Sequence, residues 1–260
     1  MFPKKFPKQH AKLQVMSHAV VAYPSLAENE IAIAGLVKAG VRLIELQVPF
    51  SDPIADGHTL VNACYEALKT GGSVQAALDL AKRVSQQHPN VTFILMSYLN
   101  PLYRYGLEAL FRDAAEAGIQ GTIIPDLPVE EIEPHMPLLD RLNLAPILMV
   151  TPNTDSERLT RICRSARGML YVVSRLGVTG ARTKWGEAFD AYLERIRQHT
   201  TLPLAVGFGV RDEHDLKALS GKAEVAALCS QYIEWQRDEG SVTAGEKMQA
   251  LLERAQHQAF

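Results

Sequence analysis

Eight apolar runs of strand length, separated by segments of helical periodicity, constrain this chain more than any other feature. The runs fall at residues 19–23, 42–48, 92–98, 121–125, 146–150, 170–174, 204–206 and 225–228. Between them, segments such as 28–39, 74–85, 107–117, 130–142, 156–166, 187–198 and 213–219 carry apolar residues three and four apart with charges between. Alternation of strand and helix predicts a parallel sheet, because parallel neighbours need a crossover connection. Eight repeats within 260 residues predict an α/β chain closed into a single (β/α)8 TIM barrel. An open doubly wound sheet would usually need fewer strands and would show a Gly-rich turn after its first. No such turn follows Val20 to Pro24. One domain is predicted over 1–260, with 1–15 as a short N-terminal extension or helix and a final helix over 243–256.

Within that frame the stretch 44–57, Ile-Glu-Leu-Gln-Val-Pro-Phe-Ser-Asp-Pro-Ile-Ala-Asp-Gly, stands out. Strand alternation puts Leu43, Glu45 and Gln47 on one face and Ile44, Leu46 and Val48 on the other. A carboxylate in an apolar, β-prone run is costly unless it has a purpose. Glu45 is therefore either a site residue or the partner of an arginine on a neighbouring strand. Asp52 and Asp56 follow on a turn punctuated by Pro49, Pro53 and Gly57, just beyond the strand's C-terminal end, where α/β enzymes keep their chemistry. For Asp52 a turn role is favoured, since Ser-Asp-Pro uses its carboxylate on backbone N–H groups. Asp56 stays open between the two roles.

Several function classes are excluded by composition. The formal net charge is −2 with no long basic run, so there is no footprint for a nucleic-acid backbone or an anionic membrane. Cys64, Cys163 and Cys229 form no C-x-x-C pair, and the eight histidines show no H-E-x-x-H spacing, so no metal site is predicted. The N-terminal ten residues are basic but lead into no apolar segment, which argues against a secretory signal and for the cytoplasm. None of the eight strand runs holds a lysine, which speaks against a Schiff-base aldolase. A small-molecule substrate is the expected ligand.

Prolines and glycines gather where the strands reach the barrel mouth. The run 174–180, Ser-Arg-Leu-Gly-Val-Thr-Gly, and Gly207-Phe208-Gly209 offer amides that can approach an anion, and Cys229-Ser230 can aim a helix N-terminus at the same point. A phosphate is the expected tenant of that corner.

Taken together, these motifs resemble the tryptophan synthase alpha subunit family over most of the chain. The stretch 44–57 is similar to the family signature. Residues 95–101 (Leu-Met-Ser-Tyr-Leu-Asn-Pro), Arg104 to Gly106, 123–128 (Ile-Ile-Pro-Asp-Leu-Pro), 174–180 and 207–209 match its other landmarks in order and spacing. The resemblance implies a lyase that cleaves indole-3-glycerol phosphate by a retro-aldol reaction to indole and glyceraldehyde 3-phosphate, or else a weakened module that mainly activates a β subunit. It implies Glu45 as general acid and base, its apolar surround favouring the acid form. It implies Asp56 on the indole N–H, Tyr171 in the site, and Thr179 on a loop closing over Asp56. Gly180, Gly207, Phe208, Gly209, Cys229 and Ser230 are implied as the substrate and phosphate-binding set. Pro53, His58, Tyr98 and Asn100 are implied on the loop and partner-docking face. No cofactor is implied for this chain; pyridoxal phosphate is implied in the partner β subunit, within an α2β2 tetramer.

The chain departs from the family pattern at several points. Gln47, Cys229, Val225 and Ala22 stand where glycines are usual, His58 stands for a proline, and His18 occupies a position that is commonly aromatic and apolar. Cys229 is expected to weaken phosphate binding if its position needs positive φ.

Overall fold

A computed structural model of the chain describes residues 6–175 and 185–257. Nine strands are present among them: β1 (Gln14–Val20), β2 (Leu43–Gln47), β3 (Thr92–Met96), β4 (Gly121–Ile123), β5 (Ala145–Pro146), β6 (Met149–Val150), β7 (Leu170–Val173), β8 (Leu204–Gly207) and β9 (Val225–Ala227). All pairings are parallel, in the order β5-β4-β3-β2-β1-β9-β8-β7-β6. The two ends of that order belong to one interrupted strand. Ile147 donates its N–H to Thr122 O on the β4 side at 2.9 Å, and Leu148 O accepts from Tyr171 N–H on the β7 side at 2.9 Å. The sheet thus closes on itself as a (β/α)8 barrel. The ladder to β4 runs one residue past Pro146 and the ladder to β7 begins at Met149, so the strand changes neighbours across Ile147 and Leu148.

Helices clothe the barrel: α1 (Leu26–Lys38), α2 (His58–Lys69), α3 (Val74–Gln87), α4 (Leu99–Tyr105), α5 (Leu107–Glu116), α6 (Val129–Ile132), α7 (Met136–Leu142), α8 (Ser156–Ser165), α9 (Glu187–Arg197), α10 (Glu213–Leu219) and α11 (Ser230–His257). Side chains start several of them by accepting an early amide: Ser25 from Glu28, Ser73 from Ala76 and Asp155 from Arg158. Non-helical Gly240, with φ of 85°, breaks α11. The expected helix over 130–142 is α6, a short 3-10 turn and α7, with Pro134 and Pro137 dividing it.

Strand alternation sorts the core into two layers, as the sequence pattern requires. Met16, Leu43, Ile94, Ile123, Met169 and Tyr171 fill the barrel, while Ile44, Leu46, Phe93, Leu95 and Val172 face the helices. The first strand begins and ends earlier than the apolar run 19–23 suggests. Val20 is its last residue, and Ala22 turns the chain with φ of 69°. Asn29 holds that turn: its Oδ1 accepts from Ala22 N–H at 2.7 Å, and its Nδ2 donates to Val20 O at 2.9 Å and Tyr23 O at 3.1 Å. Residues 6–13 form no helix. The Phe6 ring instead packs at the lower end of the barrel, where a Cβ on Gly168 would come within 3.0 Å of it.

Candidate active site

Adjacent parallel strands bring the first two groups together. His18 on β1 and Glu45 on β2 are register partners, and Val20 pairs with Gln47 one inward position higher. Glu45 points into the barrel, 3 % exposed. Its Oε2 lies 2.8 Å from His18 Nδ1, and His18 Nε2 lies 2.6 Å from Gln47 Oε1. Gln47 Nε2 then donates to Asp56 Oδ2 at 2.9 Å. The Tyr98 hydroxyl donates to the same Asp56 oxygen at 3.0 Å and accepts from Ala55 N–H at 3.2 Å. A single hydrogen-bonded row thus links Glu45, His18, Gln47, Asp56 and Tyr98.

Glu45 Oε1 is buried and has no hydrogen-bond partner among the described residues. It borders a cavity of about 30 Å³ lined also by Asp56, Met149, Tyr171, Phe208 and Cys229. Phe208, in the left-handed region with φ of 67°, lines both this cavity and a larger one of about 540 Å³ over the ends of β4 and β6. It also borders a third, of about 20 Å³, lined by Gly209, Arg211, Cys229 and Ser230.

Burial and neighbouring charge set the ionisation of these groups. Burial opposes charge on His18, but its hydrogen bond and attraction to Glu45, with smaller help from Gln47 and Asp56, hold the imidazole pKa above its ordinary 6.5. Burial also raises Asp56, against the opposing pull of His18, Gln47 and Tyr98. Tyr98, Tyr171 and Cys229 are all pushed up, chiefly by burial, with the nearby carboxylates adding to it.

His18, Glu45 and Cys229 bring three donor atoms within 4.8 Å of one another. The His18–Glu45 hydrogen bond already places a proton between two of them, so the trio is satisfied without a cation. Asp212, His214 and Asp215 form a second such group. There the Asp212 and Asp215 carboxylates cap α10, and Asp215 also accepts the Trp185 indole N–H at 2.7 Å.

The structure distributes the residues picked out in the sequence unevenly. Glu45, Asp56, Tyr171, Phe208 and Cys229 meet around one cavity, and Gly209, Cys229 and Ser230 around the next. Gly207 serves Tyr171: a Cβ there would lie 2.0 Å from the tyrosine hydroxyl. Cys229 is absent from the residues with positive φ, so its backbone tolerates a side chain, and its Sγ sits 3.9 Å from Glu45 Oε2. Tyr98, expected on the docking face, is fully buried and bonded to Asp56. Pro53 is buried, whereas His58, opening α2, and Asn100, in α4, are exposed. Thr179 and Gly180 lie outside the described residues.

Arg211 escaped the sequence reading. It lines the small third cavity and is held by Gln231 and Glu234 at the start of α11. Its place two residues after Gly209 was the available signal. Strand alternation put Gln47 on the same inward row as Glu45, but its partners are His18 and Asp56 rather than the acid itself, and nothing in the sequence joined it to His18.

Carboxyl groups gathered at the C-terminal mouth of a (β/α)8 barrel, beside glycines and a helix N-terminus, define a barrel enzyme acting on a small molecule. The family model for the tryptophan synthase alpha chain matches residues 6–258. A tryptophan synthase alpha chain of Desulfotalea psychrophila is 41% identical over 92% of this chain and 93% of its own length. That of Desulforapulum autotrophicum is 38% identical over 94% and 96%. Among solved structures, a chain of Mycobacterium tuberculosis tryptophan synthase superposes with a TM-score of 0.82 at 30% identity, covering 90% of this chain and 92% of that one. One from the tryptophan synthase α2β2 complex of Pyrococcus furiosus gives 0.85 at 28% identity, with 97% and 99% covered. The chain belongs to the tryptophan synthase alpha chain family and is a lyase of tryptophan biosynthesis.

Proposed function

We propose that this chain cleaves indole-3-glycerol phosphate to indole and glyceraldehyde 3-phosphate, with Glu45 as its general acid and base. The observation that carries the reading is the unpartnered Oε1 of Glu45 at the inner cavity, facing a space shared with Asp56 and Tyr171. In this reaction Glu45, ionised in the free chain and protonated on Oε1 in the substrate complex, gives that proton to indole C3, and Asp56 stabilises the positive ring through the indole N–H. Glu45 then takes the proton of the adjacent glycerol hydroxyl. The bond from C3 to that carbon breaks, its electrons return to the ring, and the carbonyl forms. The net change moves one proton from hydroxyl to C3, and Glu45 ends as it began.

The corner formed by Gly209, Arg211 and the start of α11 at Ser230 suits the substrate phosphate. Both small cavities are narrower than the groups they would receive, so binding entails movement of Phe208 and the loop carrying Asp56. Glycerol phosphate is expected to bind at roughly millimolar concentration; calorimetry showing no heat there removes the corner from the reading.

The partner in this reading is a β subunit carrying pyridoxal phosphate, which would receive the indole. Ile54, on the acidic loop, and Tyr103, on α4, are each 73% exposed and supply apolar surface for that contact. No described helix is long and apolar enough to cross a membrane.

Indole release by the wild type and by Glu45→Gln, with and without a β subunit, tests the proposal. Release abolished in the variant alone supports the lyase. The tight packing of the inner cavity favours one other reading, a module that activates β without cleaving substrate itself. Silence from both proteins with intact β stimulation would select it.

A further inference from the structure

The row of hydrogen bonds around Glu45 fixes more than a position. Gln47 spans Asp56 and His18, and its two ends are chemically distinct. A carboxylate accepts only, so the Gln47 amide nitrogen faces Asp56 and its oxygen faces His18. His18 Nε2 must then carry a hydrogen, because the oxygen it meets is an acceptor. Nδ1 faces Glu45 Oε2 at 2.8 Å, and the Cys229 thiol points at the same oxygen, so Oε2 is an acceptor and a proton on this carboxyl belongs on Oε1. Both ring nitrogens thus meet acceptors, the pattern of an imidazolium.

The surroundings agree with that state. The groups facing His18 and Glu45 are Asp56 on the loop after β2, Tyr98 after β3, Tyr171 on β7 and Cys229 after β9. Burial keeps the two phenols and the thiol in their neutral forms, so among the described residues the negative charge facing the ring comes from the carboxyl groups of Glu45 and Asp56.

We propose that His18 is a positioning cation for Glu45, clamping Oε2 through Nδ1–H and leaving Oε1 aimed at the substrate, while Gln47 ties the same clamp to Asp56. The general acid is then one arm of a His18–Glu45 pair rather than an isolated carboxyl. Two of the departures noted in the sequence, His18 and Cys229, meet at this one carboxyl group, and a third, Gln47, reaches it through His18. The kinetic part of this inference rests on the proposed lyase reading; the ionisation part does not.

Two measurements test it separately. Nitrogen chemical shifts of labelled histidine in the free chain, with His18 assigned through His18→Asn, report its protonation directly. The expected result is a doubly protonated ring at pH 7 that loses its proton at lower pH in Glu45→Gln. A neutral ring at pH 7, or no change in Glu45→Gln, overturns the proposal whether or not the chain cleaves substrate.

The second measurement is indole release against pH in the presence of a β subunit. His18→Phe removes the clamp and is expected to lower kcat on the order of 100-fold with little change in KM, the loss typical of a misplaced reacting group. His18→Asn keeps one donor toward Glu45 and cannot titrate. It is expected to recover part of kcat and to lack the high-pH decline expected of the wild type as His18 gives up its proton. An unchanged kcat in His18→Phe, a loss confined to KM, or an unchanged high-pH limb in His18→Asn overturns the assignment. If the wild type itself releases no indole, the lyase reading fails while the nitrogen shifts still decide the state of the pair.

Discussion

Asn29 shows how much of this molecule hangs on single buried polar groups. It is fully buried, and its amide satisfies one donor and two acceptors of the turn that follows β1. Replacing it with leucine leaves Ala22 N–H and the Tyr23 carbonyl without partners in a dry environment, while Val20 O keeps only the N–H of Tyr23. The expected loss is roughly 3 kcal/mol, read as a shift of the urea midpoint. A loss below about 1 kcal/mol would mean that water reaches the turn. His18 makes the complementary case, because its partner gives it a stability signature. Its pKa is raised in the folded chain above the 6.5 of the unfolded one, so the folded state holds the proton more tightly. That stabilisation is fully present below pH 6.5 and is lost as pH rises through the folded value. The melting temperature of the wild type is therefore expected to decline above pH 6.5 by more than that of His18→Asn; parallel curves for the two would contradict it. Glu45 and Asp56 were legible from the sequence because acids in an apolar strand and a proline-rich turn are conspicuous. The link between them was not, since it runs through His18 on another strand and through Gln47, whose amide is unremarkable in a linear chain.

At the scale of elements, hydrophobic period located the strands and most helices, and missed what period does not encode. The helices α2 and α4 follow directly on strand-end loops and read as continuations of them. The run 146–150 reads as one strand and is two short pieces, β5 and β6, because the break is made by ladder geometry rather than by a change in hydrophobicity. Helix packing is equally silent in the pattern. Gly35 on α1 and Gly245 on α11 meet so closely that a Cβ on Gly245 would lie 3.0 Å from the Gly35 Cα. On an open helix face, glycine to alanine would gain up to about 1 kcal/mol from helix propensity. Here backbone blocks the added atom, so the sign reverses. Gly245→Val is expected to cost roughly 1–3 kcal/mol in chemical unfolding, and a stabilised variant would show that the two helices can part without penalty.

Across the whole molecule the two ends of the barrel divide the labour. Acids, glycines and the exposed apolar loops collect at the C-terminal mouth, while the opposite end is sealed by Phe6 and by a buried ion pair. Arg197 on α9 donates to both oxygens of Glu224, at 2.7 and 2.6 Å, and Glu224 also accepts from the amides of His10 at 2.8 Å and Leu204 at 2.7 Å. This carboxylate joins the N-terminal segment, β8 and α9 from just before β9. Removing the cation alone strands a charge that is 2% exposed, so Arg197→Met is expected to cost roughly 3–5 kcal/mol. Converting Glu224 to glutamine in the same chain removes the stranded charge. The double variant is then expected to be more stable than Arg197→Met alone, although it sacrifices one strong acceptor. Under conditions where each variant stays folded, indole release should match the wild type, because the pair lies at the end of the barrel opposite Glu45. A double variant less stable than the single one would mean that the carboxylate serves chiefly the two backbone amides. A fall in kcat without unfolding would mean that the lower seal sets the register of the strands that carry His18 and Glu45.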